Sequence, residues 1–194
     1  MTTHLTHLTT AQLDRATGVL LGTAAGDALG VPYEFDSLPL PLDGEPAQML
    51  GGGLGNFAPG EWSDDTSMAM AIAEVAATGA DLTTDDALDA IADNFLRWYD
   101  GNPPDVGNQT RAVLSATRRR LNCGEHGTGR IMRDESDRYA ASHPRSAGNG
   151  ALNADRAGCV GAPRRSRAVG RCGASGRIAH SRRPPGRRLV CAVV

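Results

Sequence analysis

Apolar positions recur at helical spacing through most of the first 150 residues. Between Thr10 and Leu29 they fall at Leu13, Ala16, Leu20, Ala24 and Ala28, steps of three and four that predict an amphipathic helix. Gly18, Gly22, Gly26 and Gly30 repeat every fourth position in the same stretch. Each glycine costs a helix interior about 1 kcal/mol against alanine, so such a ridge predicts an element packed very close to it. Residues 31–62 carry five prolines (Pro32, Pro39, Pro41, Pro46, Pro59) and glycine-rich turns, the composition of a long ordered loop. Met68, Ile72, Val75 and Ala76 then form the stripe of a helix from Asp64 to Ala77, with Gly79 placed to stop it. A third helix is predicted from Thr84 to Tyr99, with Thr83 or Thr84 as cap and Leu88, Ile91, Phe95 and Trp98 on its apolar face. A fourth follows from Thr110 to Leu121, and 128–141 make a weaker fifth. No stretch before Gly150 alternates with period two, so the predicted fold is all-α.

At 194 residues the chain has room for one domain with a sizeable core. Charge is unevenly placed: ten arginines and 21 acids up to Gly150, then ten arginines and one acid, Asp155. There is no lysine. Cys123, Cys159, Cys172 and Cys191 show neither a CxxC pair nor zinc spacing with histidine, which supports neither a disulfide framework nor a zinc site. The opening residues lack a signal-peptide pattern, and Asp27 interrupts the apolar run around Leu20. No membrane segment is expected and the cytoplasm is the default location.

The sharpest chemical signal is Ser63, Asp64, Asp65 and Thr66, directly before an apolar helix. Adjacent carboxylates repel, and a helix N-terminus offsets only about 0.3–1 kcal/mol of that. A hard divalent cation would relieve more, and this segment offers carboxylate and hydroxyl oxygens in succession. The bland alternative is an acidic, solvated first turn. Other motifs surround it in order: Gly26, Asp27, Ala28, Leu29, Gly30, Val31, Pro32, Tyr33 and Glu34 upstream, then Gly51–Gly53, then Pro59–Trp62 running into the acidic pair. Phe95, Trp98, Pro104, Asp105, Gly107 and Thr110 follow, and finally Ser146, Ala147, Gly148, Asn149 and Gly150.

This ordered set resembles the ADP-ribosylglycohydrolase family over residues 12–152. The resemblance implies a helical domain that removes ADP-ribose from a modified protein side chain or related small acceptor, using two Mg²⁺ or Mn²⁺ ions. It places metal ligation on Ser63, Asp64 and Asp65, with serine standing where the family has threonine. Glu34 matches a glutamate beside metals and substrate, suited to gating or proton transfer, so Glu34 and Asp65 are the catalytic candidates. Asp105, Ser146, Gly148 and Asn149 match substrate-binding loops. Asp27 is expected as a cap or buried hydrogen-bonding partner rather than a direct ligand. Glu34, Asp64, Asp65 and Asp105 are expected to converge on one cleft.

Rival readings are weaker. Gly51–Asn56 lacks the lysine and the preceding strand of a phosphate-cradling loop. The basic stretch after Gly150 has no aromatic residue to stack bases, and no nucleic-acid partner is expected. A non-catalytic, ADP-ribose-binding relic is the stronger alternative, because the family's second metal-binding segment, GDTDT-like, has no counterpart here. Residues 153–194 are expected to be a disordered, frameshifted tail on a truncated domain. Read one nucleotide later, the codons from Asn153 can encode the Met-Arg continuation that the family shows.

Overall fold

The computed structural model describes residues 9–42 and 44–143. The tail at 153–194 and the loop bearing Ser146, Gly148 and Asn149 lie outside the described residues. Among the described residues there are five α-helices, α1 (Thr10–Gly30), α2 (Asp64–Ala77), α3 (Asp85–Asp100), α4 (Asn108–Asn122) and α5 (Thr128–Ser142), with a 3-10 segment, Val31–Asp36, continuing from α1. Among the described residues there is no strand, only an isolated bridge between Gly52 and Phe57, and the all-α expectation holds. Of the two threonines offered as cap for the third helix, Thr84 is the N-cap, its hydroxyl accepting from Ala87 N at 3.3 Å. No helix among the described residues is long and apolar enough to cross a membrane.

Helix α3 is the hub, packing on α2, α4 and α5. Its stripe of Leu88, Ile91, Phe95 and Leu96 is fully buried against Ile72 of α2, Val113 and Leu114 of α4 and Met132 of α5. Burying one such side chain contributes about 1.5–3 kcal/mol, and this shared cluster is what fixes the α2–α3 surface on which the site is built. At the α3–α5 crossing a Cβ on Gly129 would sit 3.0 Å from the Leu88 carbonyl, so only glycine permits that approach.

Helix α1 is attached differently. It packs on α2 and on the 3-10 segment, yet Ala28 is its one buried residue, while Leu13 and Leu21 are 55% and 65% exposed. The close partner predicted for the glycine ridge is not found among the described residues. A Cβ at Gly18, Gly22, Gly26 or Gly30 would meet nothing within 4 Å, because α1 touches the bundle through its C-terminal end and leaves the ridge open. After the 3-10 segment, the loop folds back tightly. Gly53, at φ +62°, lies where a Cβ would come within 2.7 Å of the Val31 carbonyl, and this contact carries the chain toward Trp62 and the start of α2.

Candidate active site

The start of α2 is capped from another helix. Asp27, near the end of α1, accepts from Ser63 N at 3.0 Å, Ser63 Oγ at 2.6 Å, Thr66 N at 2.9 Å and Thr66 Oγ1 at 2.6 Å. Ser63 is the N-cap residue but makes no side-chain cap of its own; its hydroxyl donates to Asp27 instead. A carboxylate there satisfies orphan N–H groups and meets the positive end of the helix dipole. Asp27 therefore acts as a cap, as expected, but across helices rather than locally and from a half-buried position.

That clamp presents Asp64 and Asp65 in the first turn of α2. Asp64 Oδ2 accepts from Gly107 N at 3.2 Å, tying the loop that bears Asp105 to the acidic pair. A cleft of about 310 Å³ opens here, lined by Ser63, Asp64 and Asp105 together with Glu61, Trp62 and Trp98. Glu34 and Asp65 are not part of that lining, but they belong to the same electrostatic cluster. Burial raises the Glu34 carboxyl above the ordinary glutamate value, followed by the charges of Asp65, Asp27, Asp64 and Asp105. Asp64 is also raised, first by burial, against the lowering effect of the Gly107 hydrogen bond and with a further push from Asp105. Of the four carboxylates expected on one cleft, Asp64 and Asp105 line it, while Glu34 and Asp65 lie off the lining and are linked to it electrostatically; Ser146, Gly148 and Asn149 lie outside the described residues.

In kind, the oxygens fit a hard divalent cation. Mutual repulsion among these carboxylates is what a cation relieves, and it adds to burial, the larger cause, in raising Glu34 and Asp64. In number they supply part of a shell: among the described residues no three His, Cys, Asp or Glu side chains form a group that could hold a metal ion.

Sequence reasoning gave no site role to Trp62, Trp98 or Glu61. Helical spacing places Trp98 on the apolar face of α3, where it packs against the core, and it also lines the cleft. Glu61 accepts from Ala58 N at 2.7 Å and so holds the turn leading to Trp62. The signal that could have found them was adjacency, since Glu61 and Trp62 run straight into the acidic segment.

An ADP-ribosylglycohydrolase family model matches residues 8–194, and the chain belongs to that family. It is 33% identical over 150 residues to an ADP-ribosylarginine hydrolase of Serratia proteamaculans, an alignment covering 72% of this chain and 34% of that protein. With the ADP-ribosylarginine hydrolase of Pseudomonas putida identity is 43% over 112 residues, covering 53% and 28% respectively. With the ADP-ribosyl-[dinitrogen reductase] glycohydrolase of Rhodospirillum rubrum it is 35% over 133 residues, covering 62% and 42%. The chain thus spans about a third of the length of these curated relatives.

Proposed function

We propose that the cleft is the carboxylate-bearing part of a site that hydrolyses the bond between ADP-ribose and a modified protein side chain or related small acceptor. The observation that carries this is the clamp of Asp27 on Ser63 and Thr66, which sets two carboxylates at a helix start beside Asp105 and Glu34. The names of the relatives, two arginine-directed and one acting on dinitrogen reductase, support a protein-linked substrate.

Asp64 and Asp65 would hold Mg²⁺ or Mn²⁺, with Ser63 as a third ligand. The Ser63 proton is committed to Asp27 at 2.6 Å, so the lone pairs of its oxygen are what remain to face a cation. Bound divalent ions would supply orientation of the ribose diol and activation of a water molecule. The chain's own residues do the rest. Asp105 sits on the loop tied to Asp64 and faces the substrate. Glu34, with its affinity for a proton raised by burial and neighbouring acids, is suited to hold or pass a proton near the anomeric carbon.

Because Asp155 is the sole acid after Gly150, no second acidic segment completes a dinuclear shell within these residues. The chain by itself is proposed to bind metal weakly and to turn over negligibly, which keeps the non-catalytic ADP-ribose-binding reading as the alternative. Calorimetric titration with Mn²⁺ tests the ligand assignment: weak binding that disappears in Asp64→Asn is expected, and equal heats from both proteins would overturn it. Robust release of ADP-ribose from an ADP-ribosylated arginine substrate would overturn the inactivity while upholding the hydrolase reading.

A further inference from the structure

Two cavities lie end to end along the α2–α3 surface. The first is the acidic cleft; the second, of about 440 Å³, is lined by Met70, Glu74, Asn94 and Arg97 among others. They share Ser67, Trp98 and Pro103, so the groove continues the cleft past Trp98. Their chemistry differs. Apart from Asp64, which the proposed function gives to the metal, the cleft lining presents Glu61 and Asp105 with two tryptophans and no basic side chain, a combination that suits a flat, delocalised cation. Guanidinium stacks on indole faces and pairs with carboxylates. The groove presents the flexible thioether of Met70, 40% exposed, beside a fixed polar cluster. Buried Asn94 donates from Nδ2 to the Ala71 carbonyl at 2.9 Å and to Glu74 Oε2 at 3.2 Å, and its Oδ1 accepts from Arg97 Nη2 at 2.7 Å. Arg97 and Glu74 are anchored in this way yet remain 71% and 55% exposed. Donors and acceptors are therefore held in place beside an adaptable apolar surface, which is what an extended main chain with alternating polar groups and side chains requires.

We propose that this α2–α3 groove docks the polypeptide carrying the modified side chain, with an arginine seated beside Trp62 and Trp98 and its flanking residues laid over Met70 toward Arg97 and Glu74. The proposal rests on reading the cleft as an ADP-ribosyl hydrolase site. A small acceptor ends at Trp98; a polypeptide continues past it into the groove.

Trp62 and Trp98 are the chain's two tryptophans, so intrinsic fluorescence reports on the cleft directly and needs no turnover. The titrants are N-acetyl-arginine amide, a hexapeptide with central arginine and apolar neighbours, and the same peptide with citrulline. The arginine peptide is expected to saturate at a concentration on the order of tenfold below the amide, about 1.4 kcal/mol. Met70→Glu and Arg97→Ala are expected to abolish that advantage, with circular dichroism confirming the fold. Arg138→Ala, on α5, keeps it. Equal affinity for peptide and amide, or an advantage that survives both groove variants, overturns the docking site. A citrulline peptide that binds as well as the arginine peptide, or no response to any titrant, overturns the guanidinium seat and with it the proposal. The hydrolase reading stands or falls separately on the loss of Mn²⁺ binding in Asp64→Asn.

Discussion

Asp27 collects four donors from two residues 36 and 39 positions away, and both of those residues, Ser63 and Thr66, are buried. Removing the acceptor leaves those donors without water to replace it, so Asp27→Ala is expected to lower unfolding free energy by about 2–3 kcal/mol, the range for a lost hydrogen bond to a charged group. Asp27→Asn keeps one acceptor oxygen and loses the charge facing the helix dipole, for about 1 kcal/mol. Urea unfolding of the two variants checks the order, and an alanine variant as stable as the asparagine variant would show that the carboxylate is not the cap. Little of this was legible beforehand. The Ser-Asp-Asp-Thr segment advertised a helix start, and its position before an apolar stripe was enough to place α2. That its cap comes from α1 was not readable, because no local pattern encodes a partner so far upstream. The gathering of Glu34 and Asp105 was likewise supplied by motif resemblance rather than spacing.

Helices α2 and α3 follow their apolar stripes closely because each stripe faces the same cluster around Ile72, Ile91 and Phe95. Helix α1 departs from its reading because glycine periodicity shows only that a close approach is possible, while the described residues bring nothing to it. Gly22 therefore has room for a methyl group, and Gly22→Ala is expected to stabilise this chain by about 0.5–1 kcal/mol through helix propensity alone. A destabilised variant in thermal unfolding would mean that something covers the ridge in solution. Helix α5 repeats the cross-helix device: Gly127, its N-cap residue, offers no side-chain cap, and Asp89 of α3 accepts from Gly129 N at 2.7 Å instead. Its junction with α4 is held by Arg120, which donates to Glu125 at 2.8 and 2.6 Å and to Glu135 at 2.9 Å. The Arg120 hydrogen bond lowers the Glu125 carboxyl below the ordinary glutamate value. A folded-state pKa below the unfolded one stabilises above the unfolded value, and that contribution fades as pH falls through the folded one. The melting temperature of the wild type should accordingly exceed that of Glu125→Gln at neutral pH, and the gap should close on acidification below the glutamate range. A gap independent of pH would separate the ion pair from the effect.

At the scale of the whole chain, the acidic first 150 residues and the arginine-rich remainder behave as two compositions. The family match runs through residue 194, while the relatives align over 112 to 150 residues. The carboxylate cluster lies entirely in the acidic part, and its mutual repulsion calls for positive charge that the described cleft lining does not provide. Ten arginines against one acid, with three of the four cysteines and no aromatic residue after Gly150, is a composition unsuited to building a core. We propose a change of reading frame near residue 153, which would account for both the charge inversion and the loss of aromatics at one point in the chain. It would also account for the Asn153 codon, read one nucleotide later, being able to encode the methionine with which the family continues its Gly-Asn-Gly loop. Resequencing the gene is the measurement. A single inserted nucleotide near codon 153 is expected, and removing it should open a longer frame that ends in a GDTDT-like segment able to supply the missing oxygen ligands. The protein expressed from that restored frame should then bind Mn²⁺ more tightly than the present chain and release ADP-ribose. A verified sequence with no downstream frame of that kind would establish the arginine-rich stretch as native and remove the proposed origin of the incomplete site.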